Sequence, residues 1–305
     1  MWQYNKSVCH LWEKIVSGKD ADAIHYTFCV IKKVLYLCAL YIVHLITPKS
    51  VFICIICGRN MIPKIIHYCW FGGNPLPKSA VKCVNSWKKF FPDYEIKEWN
   101  EGNFDVNMMP FTREAYEAKK YAFVSDVARF WILYNEGGLY FDTDVEVIAS
   151  MDDIIERGPF MGVEAMDTYE KGWPAVAPGL GLGVEKGDDF YHKVLTYYEE
   201  HHYCDANGVQ LPGTVVLHTT KLLKESGLKP DSGIQCVAGI WIYPPEYFCP
   251  LEDATGILRK TSNTRSIHWY SKTWIDKPLW YYTITRLMHR IFGTNFLSRV
   301  KQNIG

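Results

Sequence analysis

The chain has 305 residues, with 33 Lys and Arg balanced by 33 Asp and Glu. Formal neutrality excludes a protein that grips nucleic acid through bulk positive charge. With 48% hydrophobic and 22% charged residues the composition is that of a globular protein and excludes a largely disordered one.

Residues 1–60 read as an N-terminal extension. Its apolar part, 24–57, is broken by Lys32, Lys33 and Lys49, and the longest uncharged run is Val34 to Pro48. That falls short of the about 20 consecutive apolar residues of a membrane span. The extension suits a membrane-associated segment or residues upstream of a native start at Met61, and we favour the second. The ten Cys are scattered, with Cys54 and Cys57 the closest pair. A structural zinc site needs four ligands, so reduced thiols in a cytoplasmic protein fit better.

From Met61 the punctuation becomes regular. Ile62–Trp70 is β-branched and apolar and ends at Gly72-Gly73, which predicts a first core strand. Ser79–Phe91 has helical spacing, with Val81, Val84, Trp87 and Phe91 on one side. Tyr94–Trp99 alternates as a second strand. Arg113–Lys120 predicts a polar helix. Ala122–Glu136 predicts another, with Phe123, Val127, Phe130, Trp131 and Tyr134 on its apolar face and Gly137-Gly138 as its stop. Leu139–Phe141 is a short strand running into Asp142-Thr143-Asp144, and Val145–Ile148 continues extended. Strands alternating with helices predict an α/β layer with a mostly parallel central sheet and flanking helices.

Beyond residue 150 the pattern loosens. Pro178-Gly-Leu-Gly-Leu-Gly183 reads as a glycine-rich loop, and without a following Gly-Lys-Ser/Thr it carries no phosphate motif. Phe190–His201 and Thr214–Ser226 predict helices, and Ile240–Tyr243 a strand. Residues 277–305 hold Lys277, Arg286, Arg290, Arg299 and Lys301 and no acid. Ile284, Leu287, Met288, Ile291 and Phe292 share one face there. Such a basic amphipathic helix suits an anionic membrane surface, or a terminal helix packed on the domain with a solvated basic side.

The chemistry concentrates at Asp142 and Asp144. Residues two apart in extended chain point the same way. Two carboxylates converging at a strand end repel, which favours a bound cation or a shifted pKa. Hard oxygen ligands suit Mg²⁺ or Mn²⁺, and a solvated acidic turn is the other reading. Asp126 and Arg129 lie one helical turn apart on the helix that leads back to this pair, placed to bind sugar hydroxyls and phosphate or to form a surface ion pair.

The run from Tyr121 through Asp126, Arg129 and Gly137-Gly138 to Asp142-Thr-Asp144 closely resembles the DXD region of family 32 glycosyltransferases, which include yeast mannosyltransferases and bacterial capsular or lipopolysaccharide sugar transferases. It is more distantly similar to the glucosyltransferase domains of large clostridial toxins. Ile62–Gly73 resembles the family's first strand, and Ile267–Trp274 its closing His-to-Trp segment. The resemblance implies a GT-A-type nucleotide-sugar-binding fold over residues 61–276, with 277–305 as an appended helix. It implies a Mn²⁺- or Mg²⁺-dependent hexosyl transfer, with retention, from a UDP- or GDP-sugar to a glycan or lipid-linked acceptor in surface-polysaccharide synthesis, without nucleic acid, and cytoplasmic or at the cytoplasmic face of a membrane. By position, Asp142, Asp144 and His268 are the metal ligands. His67, Trp70, Asp126, Arg129 and Asp142 bind the donor, with Trp70 on the base. Asp126, Arg129, Asp142, Asp144 and Trp274 form the catalytic set, Trp274 closing over the donor. Trp269 stands where relatives often carry a second His. A phosphatase of the two-aspartate type fits less well, because Glu146 stands where it wants Thr or Val. A non-catalytic sugar-binding protein on the same fold is the remaining alternative.

Overall fold

In a computed structural model the chain divides at Asn60/Met61. The structure describes residues 61–271 and 279–293. The expectations for residues 1–60, for Cys54 and Cys57 and for Trp274 fall outside the described residues. The order begins β1 (Ile65–Cys69), α1 (Lys78–Phe90), β2 (Glu95–Trp99), α2 (Pro110–Glu117) and α3 (Tyr121–Glu136). Next come β3 (Gly138–Tyr140), β4 (Val145–Val147), α4 (Asp152–Arg157), β5 (Phe160–Met166), β6 (Pro174–Ala177) and β7 (Leu182–Val184). Then follow α5 (Asp189–Glu199), α6 (Val215–Glu225), β8 (Gln235–Val237), β9 (Ile240–Tyr243) and α7 (Pro245–Phe248). β10 (Leu251–Glu252), β11 (Ile257–Leu258), β12 (Ser266–His268) and α8 (Leu279–Phe292) complete it.

One eight-stranded sheet runs β2-β1-β3-β7-β5-β9-β8, with β6 paired to β5. Five strands, β1, β2, β3, β5 and β9, share a direction, and β6, β7 and β8 oppose them. This is the mostly parallel α/β sheet with flanking helices expected of the GT-A type. Alternation along the strands sends side chains to two cores. Phe111, Val127, Phe130, Tyr191 and Leu223 pack α2, α3, α5 and α6 on one face; Val84, Trp87, Ile154 and Phe248 pack α1, α4 and α7 on the other.

Helix α1 buries Ala80, Cys83, Val84 and Trp87, spaced i, i+3, i+4 and i+7, while Val81 lies exposed. The expected apolar face is therefore rotated, because small Ala80 and Cys83 allow the closer approach. Helix α2 begins at Pro110, three residues before its expected start; a proline at the first helical position has no amide whose loss would matter. Helix α3 is buried nearly all round, from Val124 to Leu133. It stops at Gly137, with φ 68° and its N–H donated to Leu133 O at 2.8 Å. Gly138 admits no side chain, since a Cβ there would stand 2.6 Å from Ile65 O. Residues 182–184, expected as loop, form strand β7, and β5 and β6 had no distinct signal. Their partners β3 and β9 come from distant parts of the chain, so period alone does not reveal them.

His67 ties this junction together. It is fully buried on β1, and Trp99 Nε1 donates to its Nδ1 at 3.0 Å. An indole only donates, so Nε2 carries the proton and donates to Gly137 O at 2.9 Å. Burial pushes the imidazole down to about 4, outweighing the Gly137 hydrogen bond and Glu136 charge that pull the other way. The unfolded chain therefore binds a proton near pH 6.5 that the folded chain refuses until about 4. Stability from this group is complete above pH 6.5 and lost as pH falls toward 4, by up to about 3 kcal/mol. Urea unfolding of wild type and His67→Gln at pH 7.5 and 4.5 checks this: the wild type should lose more stability on acidification, and equal losses would refute it.

Candidate active site

Strand β3 delivers Asp142 to the carboxyl edge of the sheet, and there the chain turns. Val145 N–H donates to Asp142 O at 3.0 Å, so residues 142–145 form a turn instead of extended chain. The two aspartates are thus gathered by a turn, not by strand alternation as expected. Strand β4 then leaves the main sheet and pairs antiparallel with β12, setting His268 opposite Val145. Helix α1 holds β4 in place: Trp87 Nε1 donates to Val145 O at 2.8 Å, and Val147 N–H donates to Ser86 Oγ at 2.9 Å.

Arg129 anchors the first aspartate from behind. Its residue is 3% exposed. Nη2 lies 2.8 Å from Asp126 Oδ1 and 3.2 Å from Asp142 Oδ1, Nη1 reaches Asp142 Oδ2 at 3.4 Å, and Nε donates to Ser125 O at 3.0 Å. Tyr140 OH adds a bond to Asp142 Oδ1 at 3.0 Å. The guanidinium stays charged: burial disfavours the cation, but Asp142, Tyr140 and Asp126 raise it further above its ordinary range. Burial pushes Asp126 up to about 7 despite Arg129. Asp142 is also raised, by burial and then by the charge of Asp144, against Arg129.

The second aspartate has different partners. Asp144 Oδ1 lies 3.1 Å from His268 Nε2, and Oδ2 accepts from Ser271 N–H at 2.8 Å and Ser271 Oγ at 3.0 Å. Burial raises its pKa, but the His268 charge and these hydrogen bonds win and hold it well below the usual carboxylate range. His268 is correspondingly raised by Asp144 against the opposing effect of burial. The ligand atoms of Asp142, Asp144 and His268 all lie within 4.8 Å of one another. His268 Nδ1 is buried without a hydrogen-bond partner. Two carboxylates and an imidazole with their ligand atoms within 4.8 Å of one another form a donor set that fits a small divalent cation.

The structure brings together Asp126, Arg129, Asp142, Asp144 and His268. Trp70 caps β1 at the same edge of the sheet, half-buried, with Nε1 donated to Asn74 O at 2.6 Å. His67 is not brought there: both its ring nitrogens are engaged inside the sheet, and none is left for a donor. Arg129 stands behind Asp142, its guanidinium taken up by protein oxygens, so it positions Asp142 and does not line an open surface. Trp269 donates Nε1 to Glu146 Oε2 at 2.8 Å, a tie between β12 and β4.

Four residues escaped the sequence reading. Ser271 lies inside the closing block but carries no ligand signal. Tyr140 reads as core. Glu164 on β5 is raised by burial, with His268 pulling the other way. Gly179, in the glycine-rich segment, takes the amide of Asp142 on its carbonyl at 3.1 Å. A Cβ on Gly179 would overlap the Asp142 carboxylate and come within 3.1 Å of Arg129 Nη1. The glycine is required by close approach, which explains the segment without any phosphate.

A DXD turn at the carboxyl edge of an α/β sheet, braced by a buried arginine and faced by a histidine, defines the class. Residues 77–161 match the family model described as "Glycosyltransferase sugar-binding region containing DXD motif", the same region whose sequence resembles the DXD glycosyltransferases. It is 29% identical to "Inositol phosphoceramide mannosyltransferase 1" of Schizosaccharomyces pombe over 153 residues, 45% of this chain and 46% of that protein. It is 34% identical to "Inositol phosphoceramide mannosyltransferase 3" of the same yeast over 98 residues, 31% of this chain and 27% of the relative. The matches thus span less than half the length of these curated relatives. Among solved structures, "PaToxG Glycosyltransferase" is similar at a TM-score of 0.39 and 22% identity, over 54% of this chain and 68% of that one.

Gly179→Ala should destabilise the protein by about 1–3 kcal/mol in urea unfolding, through overpacking against Asp142. Gly233→Ala, whose Cβ would meet no atom nearer than 3.4 Å, should stay within about 0.5 kcal/mol. Equal effects would remove the close-approach argument.

Proposed function

We propose that this protein is a metal-dependent retaining glycosyltransferase that moves a hexose from a UDP- or GDP-sugar to a glycan or lipid-linked acceptor. The observation that carries the reading is the convergence of Asp142, Asp144 and His268 on one point, with Asp142 held from behind by Arg129. In the reaction the bond from the anomeric carbon to the diphosphate breaks. The acceptor oxygen forms the new bond, the nucleoside diphosphate leaves with the electron pair, and the acceptor's proton passes to the departing diphosphate oxygen. Negative charge grows on the departing diphosphate, so a positive group beside it stabilises the transition state more than the ground state. A Mn²⁺ or Mg²⁺ bound by Asp142, Asp144 and His268 supplies that charge.

The protein's own residues prepare the site. Arg129 and Tyr140 fix the Asp142 carboxylate, and Asp126 keeps the arginine in place. Ser271 and His268 fix Asp144, so neither ligand must reorganise when the donor arrives. Trp70 at the end of β1 is placed to stack on the nucleotide base. Mannose leads among the sugars because the two yeast relatives are named mannosyltransferases, and their named acceptor, inositol phosphoceramide, favours a lipid-linked one. Retention, a role in surface polysaccharide and a cytoplasmic location follow from the family resemblance and the reduced-thiol reading.

Hydrolysis of a panel of UDP- and GDP-sugars, GDP-mannose included, with and without Mn²⁺ tests the proposal. One donor should be cleaved only with metal, and failure to bind or cleave any would overturn it. Asp144→Asn should lower turnover at least about 100-fold with an unchanged circular dichroism spectrum, because a metal ligand is lost. Trp70→Ala should raise the donor KM about tenfold while changing kcat little, since base stacking is the same in ground and transition states. A KM unchanged in that variant excludes the stacking role.

A further inference from the structure

Helix α8 is docked by its polar side. Arg286 donates Nε to Asp253 O at 3.1 Å and pairs Nη2 with Asp253 Oδ1 at 3.2 Å. His289 Nδ1 meets Ala254 O at 3.0 Å. Arg290 donates Nε to Thr255 O at 2.6 Å and Nη2 to Gly256 O at 3.1 Å. These partners form the turn between β10 and β11. At about 100° per residue, Arg286, His289 and Arg290 lie opposite Ile284, Leu287 and Ile291. The apolar stripe therefore faces outward: Ile284 is 52%, Leu287 54%, Ile291 61% and Phe292 55% exposed. This reverses the terminal-helix alternative, which put the apolar face inward and the basic side in water. Rolling the stripe inward would break five hydrogen bonds.

We infer that the outward stripe of α8 lies in the surface of an anionic lipid bilayer and holds the protein there. The helix is too short and polar to cross a membrane, as is every helix among the described residues. An amphipathic helix lying in the interface needs only an apolar face and positive charge beside it. Residues 277–305 contain five basic residues and no acid, whereas the rest of the chain holds 28 basic against 33 acidic residues. Arg286 and Arg290 are turned toward the domain, so the positive charge that flanks the helix in sequence is Lys277 before it and Arg299 and Lys301 after it. That complementarity selects an anionic lipid surface. A second copy fits less well: four half-exposed side chains offer on the order of 400 Å², half of the roughly 800 Å² per partner in a standard interface.

The placement bears on the acceptor, a consequence that rests on the proposed function. Cys249, two residues before β10, lies 3.0 Å through Sγ from Tyr270 OH, and the Tyr270 ring sits 4.2 Å from that of His268. The turn that carries α8 is therefore a neighbour of the candidate metal site. A protein seated on α8 presents its DXD site beside the lipid headgroups, where a lipid-linked acceptor sits.

The test is sedimentation of the full chain with vesicles of 70% phosphatidylethanolamine and 30% phosphatidylglycerol, against vesicles of phosphatidylcholine alone. The wild type should partition to the anionic vesicles, and Leu287→Glu/Ile291→Glu should lower the bound-to-free ratio at least about tenfold. The milder pair Ile284→Ser/Leu287→Ser, with a circular dichroism spectrum like the wild type, should lower it in the same direction. Equal partitioning of wild type and variants overturns the inference. So does a wild type that binds no vesicle, including one that light scattering shows to be a dimer dissolved by the same substitutions. Metal-dependent donor hydrolysis, measured without vesicles, should be unchanged in the variants. A failure of the glycosyltransferase reading would appear there and leave the vesicle result standing.

Discussion

A cation buried beneath a carboxylate is the constraint on which this site rests. Arg129 cannot lie 3% exposed in the protein interior without compensation. Asp126, Asp142, Tyr140 and the Ser125 carbonyl provide it, and in doing so they fix where Asp142 must be. Breaking such a buried pair leaves an uncompensated charge, a loss of about 3–5 kcal/mol. The fold therefore holds the site together for its own stability, with the Asp142 carboxylate tied to Arg129 and Tyr140.

The rest of the architecture brings Asp144 and its partners to that lip. After β3 the chain leaves the main sheet at the Asp142–Val145 turn, and the short β4–β12 ladder carries His268 and Ser271 to the second aspartate. Trp87 pins this ladder from α1, and Gly179 lets the β6–β7 segment close against Asp142. Segments from five parts of the chain thus meet at one edge. The two carboxylates end with opposite tendencies, Asp142 raised and Asp144 depressed, because the first is crowded by like charge and burial while the second is paired with His268.

Much of this was legible in the residues. The helix α3, its glycine stop, the strand into the DXD segment and the helices α5 and α6 are all read from the residues, and the structure adds Asp188 and Thr214 as caps of the last two. The family resemblance located the acids, the arginine and the histidine. Strands β5, β6 and β7 were not legible, since each is short and defined by partners far away in sequence. The family resemblance put His67 among the donor-binding residues. Strand alternation decides otherwise, turning it into the sheet interior, where Trp99 and Gly137 absorb both nitrogens.

By itself the sequence supplied the candidate groups: paired aspartates, an arginine one helical turn from Asp126 and, through the family resemblance, a histidine. It also determined that α8 has an apolar and a basic side. Only the tertiary structure decided which way those groups face. It placed Arg129 behind Asp142, assigned Ser271 to Asp144, made Gly179 obligatory and turned the apolar side of α8 outward. The physical reason is that residue type and period record what a side chain prefers within one element, whereas burial and charge pairing are settled between elements, by neighbours that the linear order keeps far apart.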